Sequence, residues 1–303
     1  MSPADRAPEP PPGTSCKPAA APDEGTAGRL AALTACPVCR GDLRAGDRTL
    51  RCAAGHAFDL ARQGYVNLLT GRAAGTADTA GMVAARAAFL DGGWYSRLAG
   101  HLAARAAALA PEGPVVDAGA GTGHYLAAVL DGCGAGTGLA MDASKYAARR
   151  AARAHPRAVA AVADVWRGLP VRTGVASVVL NVFAPRNAEE FARVLAPGGV
   201  LLVATPGPGH LAELVAAAGM LDVDARKDAR LAASLSGRFV PVERVTVDMA
   251  LRMGRTAAEQ AVLMGPSAHH LSPADVGRRL AALPEPIEAT ASVVVSAWRA
   301  RTG

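Results

Sequence analysis

The stretch that decides the fold is VVDAGAGTGHYL, residues 115–126. Two β-branched residues begin a short buried strand, Asp117 follows, and Gly119, Gly121 and Gly123 then alternate through a tight turn before a helical pattern. Glycine adopts positive φ and lets another molecule approach the backbone, so the turn predicts a ligand site at the carboxyl end of a strand. A glycine-rich turn alone does not identify the ligand, because dinucleotide-binding folds also use one.

The spacing Gly-x-Gly-x-Gly, with an acidic residue two positions before the first glycine, resembles the first motif of the class I S-adenosylmethionine (AdoMet) methyltransferases. The fingerprint of the dinucleotide folds, Gly-x-Gly-x-x-Gly, is spaced differently. Strand and helix patterns alternate over residues 115–298, which predicts a parallel sheet with helices on both faces. The last two predicted strands are consistent with the antiparallel hairpin that ends the sheet of AdoMet methyltransferases. We therefore predict an α/β class I AdoMet-dependent methyltransferase fold, Rossmann-like with a seven-stranded sheet, preceded by a small zinc-ribbon domain.

Two further acidic residues follow predicted strands. Asp142 ends the second strand, where a carboxylate can accept hydrogen bonds from both ribose hydroxyls of a nucleoside cofactor. The alternative is an Asp that only caps the next helix. Asp164 follows the third strand, where methyltransferases of this class contact the adenine amino group. An Asp at a strand end is also a common turn former.

The end of the predicted fourth strand faces the methyl donor. There Phe183, beside Pro185, can stack on a planar base, while Asn181 or a backbone carbonyl hydrogen-bonds the edge of that base. An enzyme that modifies a nucleobase has to present it unstacked in such a pocket. The alternative places Phe183 in the hydrophobic core. The Pro- and Gly-rich loop 205–210 brings His210 to the same end of the sheet, unless His210 only starts a helix and points to solvent.

Cysteine spacing predicts a metal site before the main domain. Cys36 and Cys39 form a Cys-x2-Cys knuckle, and Cys52 and His56 form a Cys-x3-His pair. Together they complete a tetrahedral Cys3His site for Zn²⁺. The alternative is a redox Cys-x-x-Cys with an unrelated Cys and His nearby. Because all four positions are protein ligands, no position stays open for a catalytic water, and we predict a structural zinc.

Basic residues exceed acidic ones in the ribbon and in the whole chain. The 303 residues include 32 Lys and Arg against 26 Asp and Glu, which gives a formal net charge of +6. We predict that Arg40, Arg44 and Arg51 of the ribbon contact RNA phosphates. A solvated charged face has the same composition, so charge alone does not separate the two interpretations.

Composition divides the chain into four segments. Residues 1–33 are Pro-rich and are expected to be a disordered leader. Residues 34–70 are predicted to form the zinc-ribbon RNA-binding domain, residues 71–112 a helical linker, and residues 113–303 the methyltransferase domain. No apolar run reaches the roughly 20 residues of a membrane span, and the N-terminus has no signal-peptide core. We expect a cytoplasmic protein without a membrane partner.

Together the motifs resemble one family, the 23S rRNA guanine-N1 methyltransferases. The motifs that carry the resemblance are Cys36-Pro-x-Cys39, Cys52-x3-His56-x-Phe58-Asp59, Gly64-Tyr-Val-Asn-Leu-Leu69, Arg86-x2-Phe89-Leu90, the first motif, Ala184-Pro185 and Ala204-Thr-Pro-Gly-Pro208. The segment Met264-Gly-Pro-Ser-Ala-His-His270 resembles the tylosin-resistance branch, which modifies guanine 748. The sister branch acts at guanine 745 and has bulkier aromatic residues there.

The resemblance implies Zn²⁺ at the four ligands and AdoMet contacts at Tyr95, Gly123, His124 and His210. It implies methyl transfer from AdoMet to N1 of a hairpin-loop guanine of 23S rRNA near the peptide exit tunnel, and resistance to tylosin-type macrolides. It also implies a homodimer that binds the rRNA stem-loop. Related first motifs carry bulky residues where this chain has Ala120 and His124, so the side chain beside the methionine end of AdoMet stays open. The sequence identifies no catalytic base.

Two functions of other classes use parts of the same sequence. A small-molecule methyltransferase would use the fold and the glycine turn, but would not need an Arg-rich zinc module. A non-catalytic zinc-ribbon RNA-binding protein would keep the ribbon, but here Asp117, the glycine turn and Asp142 are all present. These alternatives, and the sister activity at guanine 745, stay open at this level.

Overall fold

The structure is a computed structural model that describes residues 24–73, 77–110, 112–132, 134, 136–220 and 233–301. Its first element is a helix, α1 (Glu24–Leu33), in a region expected to be disordered. Leu30 and Leu33 of this helix are 0% and 3% exposed. The expectation of a disordered leader is therefore wrong for residues 24–33, because Ala27, Leu30 and Ala31 are spaced to bury one helical face. Residues 1–23 of the predicted leader lie outside the described residues.

The ribbon is a small antiparallel sheet of three short strands. They are β1 (Leu43–Ala45), β2 (Thr49–Cys52) and β3 (Ala57–Asp59). Leu43 and Leu50 are buried between this sheet and the rest of the protein. The chain entering the ribbon is fastened to the main domain, since Thr34 bridges Val171 and the Ala35 amide donates to a main-domain carbonyl at 3.1 Å.

An eight-stranded sheet forms the centre of the fold. Its strands are β4 (Tyr65–Asn67), β5 (Val115–Ala118), β6 (Gly138–Asp142), β7 (Ala158–Val162), β8 (Ala176–Val182), β9 (Leu195–Pro206), β10 (Phe239–Met253) and β11 (Ile287–Ala300). Their order is β10-β11-β9-β8-β5-β6-β7-β4. The strands from β9 to β4 are parallel, whereas β11 pairs antiparallel with β9 and β10. The predicted parallel sheet and its terminal antiparallel hairpin are both present.

The sheet has one strand more than the seven predicted. The additional strand is β4, which lies in the segment assigned by sequence to the ribbon domain and pairs with Ala160–Val162 of β7. Its central residue, Val66, is fully buried. Without β4, β7 would be the edge strand, and since its five residues are all buried, the pairing prevents an exposed apolar edge. The fold class is confirmed, and β4 extends its sheet.

Helices cover both faces of the sheet. They are α2 (Ala80–Asp91), α3 (Ser96–Leu109), α4 (His124–Gly132), α5 (Lys145–Ala151), α6 (Ala188–Val194), α7 (Ala212–Ala218), α8 (Arg255–Leu263) and α9 (Pro273–Leu280). Successive strand residues point to opposite faces, so Val115 belongs to the core under α3 and α4, and Val116 to the core under α1, α6 and the ribbon. The two linker helices belong to the first core, where Phe89 and Tyr95 are almost fully buried.

The described helices include none with the length and hydropathy that a membrane span requires. The boundaries of the four predicted segments stay a prediction.

Candidate functional site

The four predicted zinc ligands converge in the ribbon. Their sulfur and imidazole nitrogen atoms all lie within 4.8 Å of one another. The sulfurs of Cys39 and Cys52 are 3.7 Å apart, and Nδ1 of His56 lies 3.3 Å from the Cys52 sulfur. Tetrahedral Zn²⁺, with bonds of about 2.3 Å to sulfur and about 2.0 Å to nitrogen, separates its ligand atoms by roughly 3.5–3.8 Å. With Cys36 as the fourth ligand, the cluster fits a structural zinc site.

The protonation of Cys52 is consistent with metal binding. Burial raises the pKa of this thiol, but hydrogen bonds with His56 and with backbone amides outweigh burial and lower the pKa to about 6. At neutral pH the group is therefore mostly thiolate, the form that binds Zn²⁺. The redox alternative required Cys52 and His56 to be unrelated neighbours of the knuckle, whereas both lie in the same cluster.

The three ribbon arginines predicted to contact RNA differ in their surroundings. Arg44 and Arg51 are paired across β1 and β2, and both are exposed on one face of the ribbon. Arg40 points towards the main domain: its guanidinium donates to the Leu169 carbonyl at 2.8 Å and lies 3.8 Å from the Glu190 carboxylate. These contacts join the ribbon to the main domain, and because half of the Arg40 side chain stays exposed, its contact with RNA stays a prediction.

A cavity of about 560 Å³ lies at the carboxyl end of the parallel strands, lined by residues that follow β5, β6, β7, β8 and β9. The predicted glycine turn forms its floor. Gly119, Gly121 and Gly123 have φ values of +87°, +54° and +80°, which favour glycine. A methyl group on Gly119 would overlap Ala184 on the neighbouring loop. The turn is therefore both conformationally strained for other residues and tightly packed.

Asp117 contributes a buried carboxyl group to the wall of this cavity. The residue is 1% exposed, and neither carboxylate oxygen has a hydrogen-bond partner among the described residues. Burial, with a smaller contribution from the charge of Asp142, raises the pKa of Asp117 to about 8. A buried carboxylate without a partner is unfavourable until a cation or donor reaches it. The α-ammonium group of AdoMet has the charge and the donors that this position lacks.

Asp142 lies at the end of β6, on the other side of the turn. Its Oδ2 accepts the Gly121 amide at 2.9 Å, and its Oδ1 accepts the Ser144 amide at 2.8 Å. Burial raises the pKa of Asp142, and these two amide hydrogen bonds oppose the rise. Asp142 lines the cavity, and each carboxylate oxygen can accept a further hydrogen bond, as binding a ribose diol would require. The alternative made Asp142 the cap of the next helix, but the N-cap of α5 is Ser144, and Asp142 only accepts the Ser144 amide.

Asp164 follows β7 and also combines two roles. Its Oδ1 accepts the Trp166 amide at 2.9 Å and caps the short 3-10 helix Val165–Arg167. The residue is 5% exposed and lines the cavity beside Ala163 and Val165. The turn-forming alternative is therefore realised, and the same contact orients the carboxylate at the position predicted for the adenine.

Tyr95 and His210 form one hydrogen-bonded unit on the opposite wall. Nδ1 of His210 lies 2.7 Å from the Ser292 carbonyl oxygen, and Nε2 lies 3.3 Å from the Tyr95 hydroxyl. A carbonyl only accepts, so Nδ1 carries a proton, and in the neutral tautomer Nε2 accepts the Tyr95 O–H. Burial raises the pKa of Tyr95 and keeps the hydroxyl protonated. The loop 205–210 thus directs His210 into the cavity and not to solvent.

His124 lies at the start of α4 and also lines the cavity. Its Nε2 is buried without a hydrogen-bond partner in the described part of the chain. Burial lowers the pKa of His124, which favours the neutral ring at pH 7. Ala120 is 7% exposed in the same wall. The imidazole, not the small Ala side chain, is therefore the group available to a ligand here.

Phe183 stands at the mouth of the cavity in an unusual conformation. Its φ is +53°, a left-handed value that few non-glycine residues adopt, and 40% of its surface is exposed. Its ring centroid lies 5.9 Å from that of His210 and 6.2 Å from that of Tyr95. Backbone strain of this kind is concentrated at functional sites. The core alternative is not supported for Phe183, and Pro185 lies beside it in the cavity wall.

Asn181 does not line the cavity, contrary to its predicted contact with the base. It is fully buried, and its side-chain amide donates to the Ala118 carbonyl at 3.0 Å and to the Pro185 carbonyl at 2.7 Å. These bonds fasten the loop that carries Phe183 to the end of β5. The prediction for Asn181 is corrected: its side chain positions the loop.

An ion pair between Arg86 and Asp78 lies over the glycine turn, and sequence alone assigned neither residue a role. Arg86 of α2 forms an ion pair with Asp78 and donates to the Met264 carbonyl at 2.7 Å. Arg86, Asp78 and Met264 all line the cavity, and Ser144 donates to the Asp78 carbonyl at 2.7 Å. Arg86 was visible only as part of the resemblance, because its partners are far away in the sequence.

The ribbon and the sheet domain both match known proteins of one kind. Residues 34–72 match the family described as "RlmA, N-terminal", a zinc ribbon. The 23S rRNA (guanine(748)-N(1))-methyltransferase of Streptomyces fradiae is 53% identical over 268 residues, covering 87% of this chain and 95% of that protein. A protein of Micromonospora griseorubida, named as a candidate 23S rRNA (guanine-N(1)-)-methyltransferase, is 50% identical over 283 residues and covers 87% and 96%.

These relatives span the ribbon, the linker helices and the sheet, and their identities far exceed what a shared fold alone would give. The cavity, where the Asp117 carboxyl group has no hydrogen-bond partner among the described residues, agrees with an AdoMet cofactor. The four-ligand cluster agrees with a structural zinc. The chain belongs to the family of 23S rRNA guanine-N1 methyltransferases.

Proposed function

We propose that this protein transfers the methyl group of AdoMet to N1 of guanine 748 in 23S rRNA. The observation that carries the nucleotide assignment is the 53% identity, over nearly the full length of both chains, to a Streptomyces fradiae protein named for that activity. The cofactor supplies an activated sulfonium methyl group, so the protein has to align the guanine N1 with it and let one proton leave.

The cavity offers one contact for each part of the cofactor. Asp117 would pair with the α-ammonium group, because its two oxygens have no partner among the described residues. Asp142 would accept the ribose hydroxyls, since its oxygens already hold the turn that approaches the ribose. Asp164 would meet the adenine, and Tyr95 and His210 would close the methionine side. Pre-organised positioning of this kind lowers a barrier by up to about 7–11 kcal/mol.

The target base would stack on Phe183. This ring is exposed at the cavity mouth, and its loop is fixed by the two hydrogen bonds of Asn181. A guanine taken out of its loop exposes both its Watson–Crick edge and its ring face, and each base–aromatic stack contributes about 1–3 kcal/mol. The exposed Arg44 and Arg51 of the ribbon would hold the phosphates of the adjoining stem.

The reaction can be tested with the purified protein, AdoMet and protein-free 23S rRNA. N1 methylation blocks Watson–Crick pairing, so primer extension should stop next to nucleotide 748 only when both protein and AdoMet are present. A rRNA transcript with guanine 748 replaced by adenine is the matched control and should give no stop. A stop at 745 would assign the sister activity. In a parallel assay with methyl-labelled AdoMet, rRNA and a small-molecule extract, label that enters only small metabolites would refute rRNA as the substrate.

Three further properties follow from the resemblance and belong to the same proposal. Expression should raise the tylosin concentration that a sensitive host tolerates, and loss of methylation should abolish this effect. We also propose a cytoplasmic location, where ribosomes are assembled, and a homodimer as the RNA-binding form. Sedimentation of the purified protein with and without the hairpin tests the dimer, and a monomer in both samples would contradict it.

A further inference from the structure

Helix α5 and its flanks carry the most one-sided charge in the sheet domain. Residues 143–163 contain five Lys and Arg and no Asp or Glu. Four of these cations, together with Tyr146, are exposed and define a surface that we call the helix-5 patch: Lys145, Tyr146, Arg149, Arg150 and Arg153. None of the four cations takes part in an ion pair among the described residues.

The helix geometry gathers these side chains on one face. At about 100° per residue, positions 145, 146, 149 and 150 fall within an arc of roughly 140°. The opposite face carries Ala147, Ala148 and Ala151, which are buried against the sheet. An aromatic group is included in the patch, since Tyr146 is 43% exposed and the Lys145 ammonium lies 5.3 Å from its ring centroid.

The patch lies between the cofactor cavity and the ribbon. Its N-terminal end touches the cavity, because Ala143 lines the cavity and Ser144 caps the helix. Its C-terminal end meets the turn before β4, where a Cβ placed on Gly64 would lie 3.7 Å from the Ala152 Cβ. The tip of that turn carries the exposed Arg62. Cationic surface therefore continues from the cavity rim along α5 to the turn that connects the ribbon with β4.

Acidic groups near the patch are few and already engaged. Asp78 lies near the start of α5 and is ion-paired with Arg86. Asp131 lies near the other end and is 3.2 Å from His155. Uncompensated like charges along one face raise the self-energy of the folded chain, and an anionic partner lowers it.

We propose that the helix-5 patch binds the phosphate backbone of the rRNA stem whose loop base enters the cavity. This inference rests on the proposed function and adds a second phosphate-binding surface to the ribbon. A row of Arg and Lys contacts phosphates without reading sequence, and it releases counterions as it does so. The patch fixes the direction in which the stem leaves the cavity, and the exposed Tyr146 ring offers a stacking face to a splayed nucleotide.

The test measures binding of a 23S rRNA hairpin containing nucleotide 748, over a series of salt concentrations. Arg149→Ala/Arg150→Ala should weaken binding roughly tenfold and lower the slope of log K against log salt by about 2. The matched control, Arg244→Ala/Arg252→Ala, removes the same charge from exposed positions of β10 at the opposite edge of the sheet. The control should bind the hairpin like the wild type, and AdoMet binding should be unchanged in both variants.

A second pair, Lys145→Gln/Arg153→Gln, repeats the test with other side chains of the same patch. Equal weakening of an unrelated hairpin of the same length is expected, because phosphate contacts carry no sequence information. Wild-type affinity and salt slope in both patch variants would overturn the inference, as would equal weakening by the β10 control, which indicates only net charge. If the wild-type protein fails to methylate rRNA at all, the proposed function fails, and that result is separate from either outcome.

Discussion

The ribbon and the sheet domain are stabilised by different means. The ribbon has three strands of three or four residues, and its buried apolar side chains lie mostly against the neighbouring domain. The sheet domain has eight strands between two apolar cores that contain most of the fully buried residues. A three-stranded sheet of this size cannot bury enough surface to fold alone, whereas metal coordination contributes folding free energy directly. Loss of zinc should therefore affect one domain and spare the other.

The largest expected effect is that of the metal. Removing Zn²⁺ with a chelator, or changing Cys39→Ser, should unfold the ribbon and reduce rRNA methylation on the order of a thousandfold, because structural zinc contributes most of the folding free energy of such modules. AdoMet affinity, measured by calorimetry, should stay within about threefold, since the cavity lies in the sheet domain. Equal loss of AdoMet binding would show that the two domains do not fold independently.

The reverse experiment disrupts the cavity and spares the ribbon. Gly119→Val would place a branched side chain against Ala184 at a φ of +87°, so AdoMet affinity should fall by more than roughly a hundredfold. Zinc content by metal analysis should remain one ion per chain. Gly100→Val is the matched control, because a Cβ at Gly100 meets no atom within 4 Å. A variant at Gly119 with wild-type affinity would remove the glycine turn from the cofactor site.

Asp117→Asn should separate cofactor affinity from stability. The neutral amide cannot pair with the α-ammonium group, so AdoMet affinity should fall roughly ten- to a hundredfold. Wild-type protein should release a proton on binding AdoMet at pH 7, because the ligand favours the ionised form of a carboxyl group whose pKa is about 8 in the free protein. Calorimetry in buffers of different ionisation enthalpy measures this proton, and the variant should release none.

The same residue gives a stability prediction with a definite sign. The folded-state pKa of Asp117 is raised above the unfolded value of about 4, so its favourable contribution is complete below pH 4 and is lost as pH rises towards 8. Asp117→Asn removes this loss, and the variant without cofactor should be more stable than wild type by roughly 1–3 kcal/mol at pH 8. Urea unfolding at pH 4 and pH 8 measures the difference, which should vanish at the lower pH.

Much of both regions was predictable from local sequence. The glycine turn, the alternation of strands and helices, and the spacing of the four zinc ligands are signals within short segments. The structure agrees with these three predictions because each feature depends on local backbone geometry or on fixed distances between metal ligands. The terminal hairpin of the sheet was predicted on similar grounds.

The errors concern contacts between segments distant in sequence. Strand β4 is three residues long, and its partner on β7 lies 95 positions further on, so no local period identifies it. Helix α1 follows a Pro-rich leader and becomes stable by burying Leu30 against the main domain. Arg40 and Asn181 are residue types common in substrate contacts. Their hydrogen-bond acceptors, the carbonyls of Leu169 and Ala118, are far away in sequence and are identified only in the folded chain.

Phe183 tests how the substrate base is received. Phe183→Ala removes the exposed ring and should lower kcat/KM for the rRNA hairpin by about ten- to a hundredfold, which corresponds to one base–aromatic stack. AdoMet affinity should change little. Phe183→Tyr keeps a ring and should retain most activity in single-turnover assays. Full activity of the alanine variant would contradict a stacking role.

The smallest expected effect concerns the junction between the two regions. Arg40→Ala removes the contacts with Leu169 and Glu190 and should cost about 0.5–1.5 kcal/mol, since the side chain is half exposed. Chemical denaturation monitored separately by zinc release and by tryptophan fluorescence should show the two transitions moving apart. Transitions that stay superimposed in the variant would indicate that other contacts couple the regions.

The pairing of β4 with β7 makes the ribbon a closed excursion from the large sheet. The segment is attached to the sheet domain at both ends, by the Thr34–Val171 bridge before the ribbon and by the β4–β7 pairing after it. Two attachments restrict rotation of the zinc module relative to the sheet more than a single linker would. The ribbon is therefore held at a fixed distance from the cofactor cavity. The distance from a gripped stem to the methyl acceptor would then select which nucleotide of a hairpin is reached, and a residue inserted into the turn 61–64 would shift that choice, whereas one inserted after residue 72 would not.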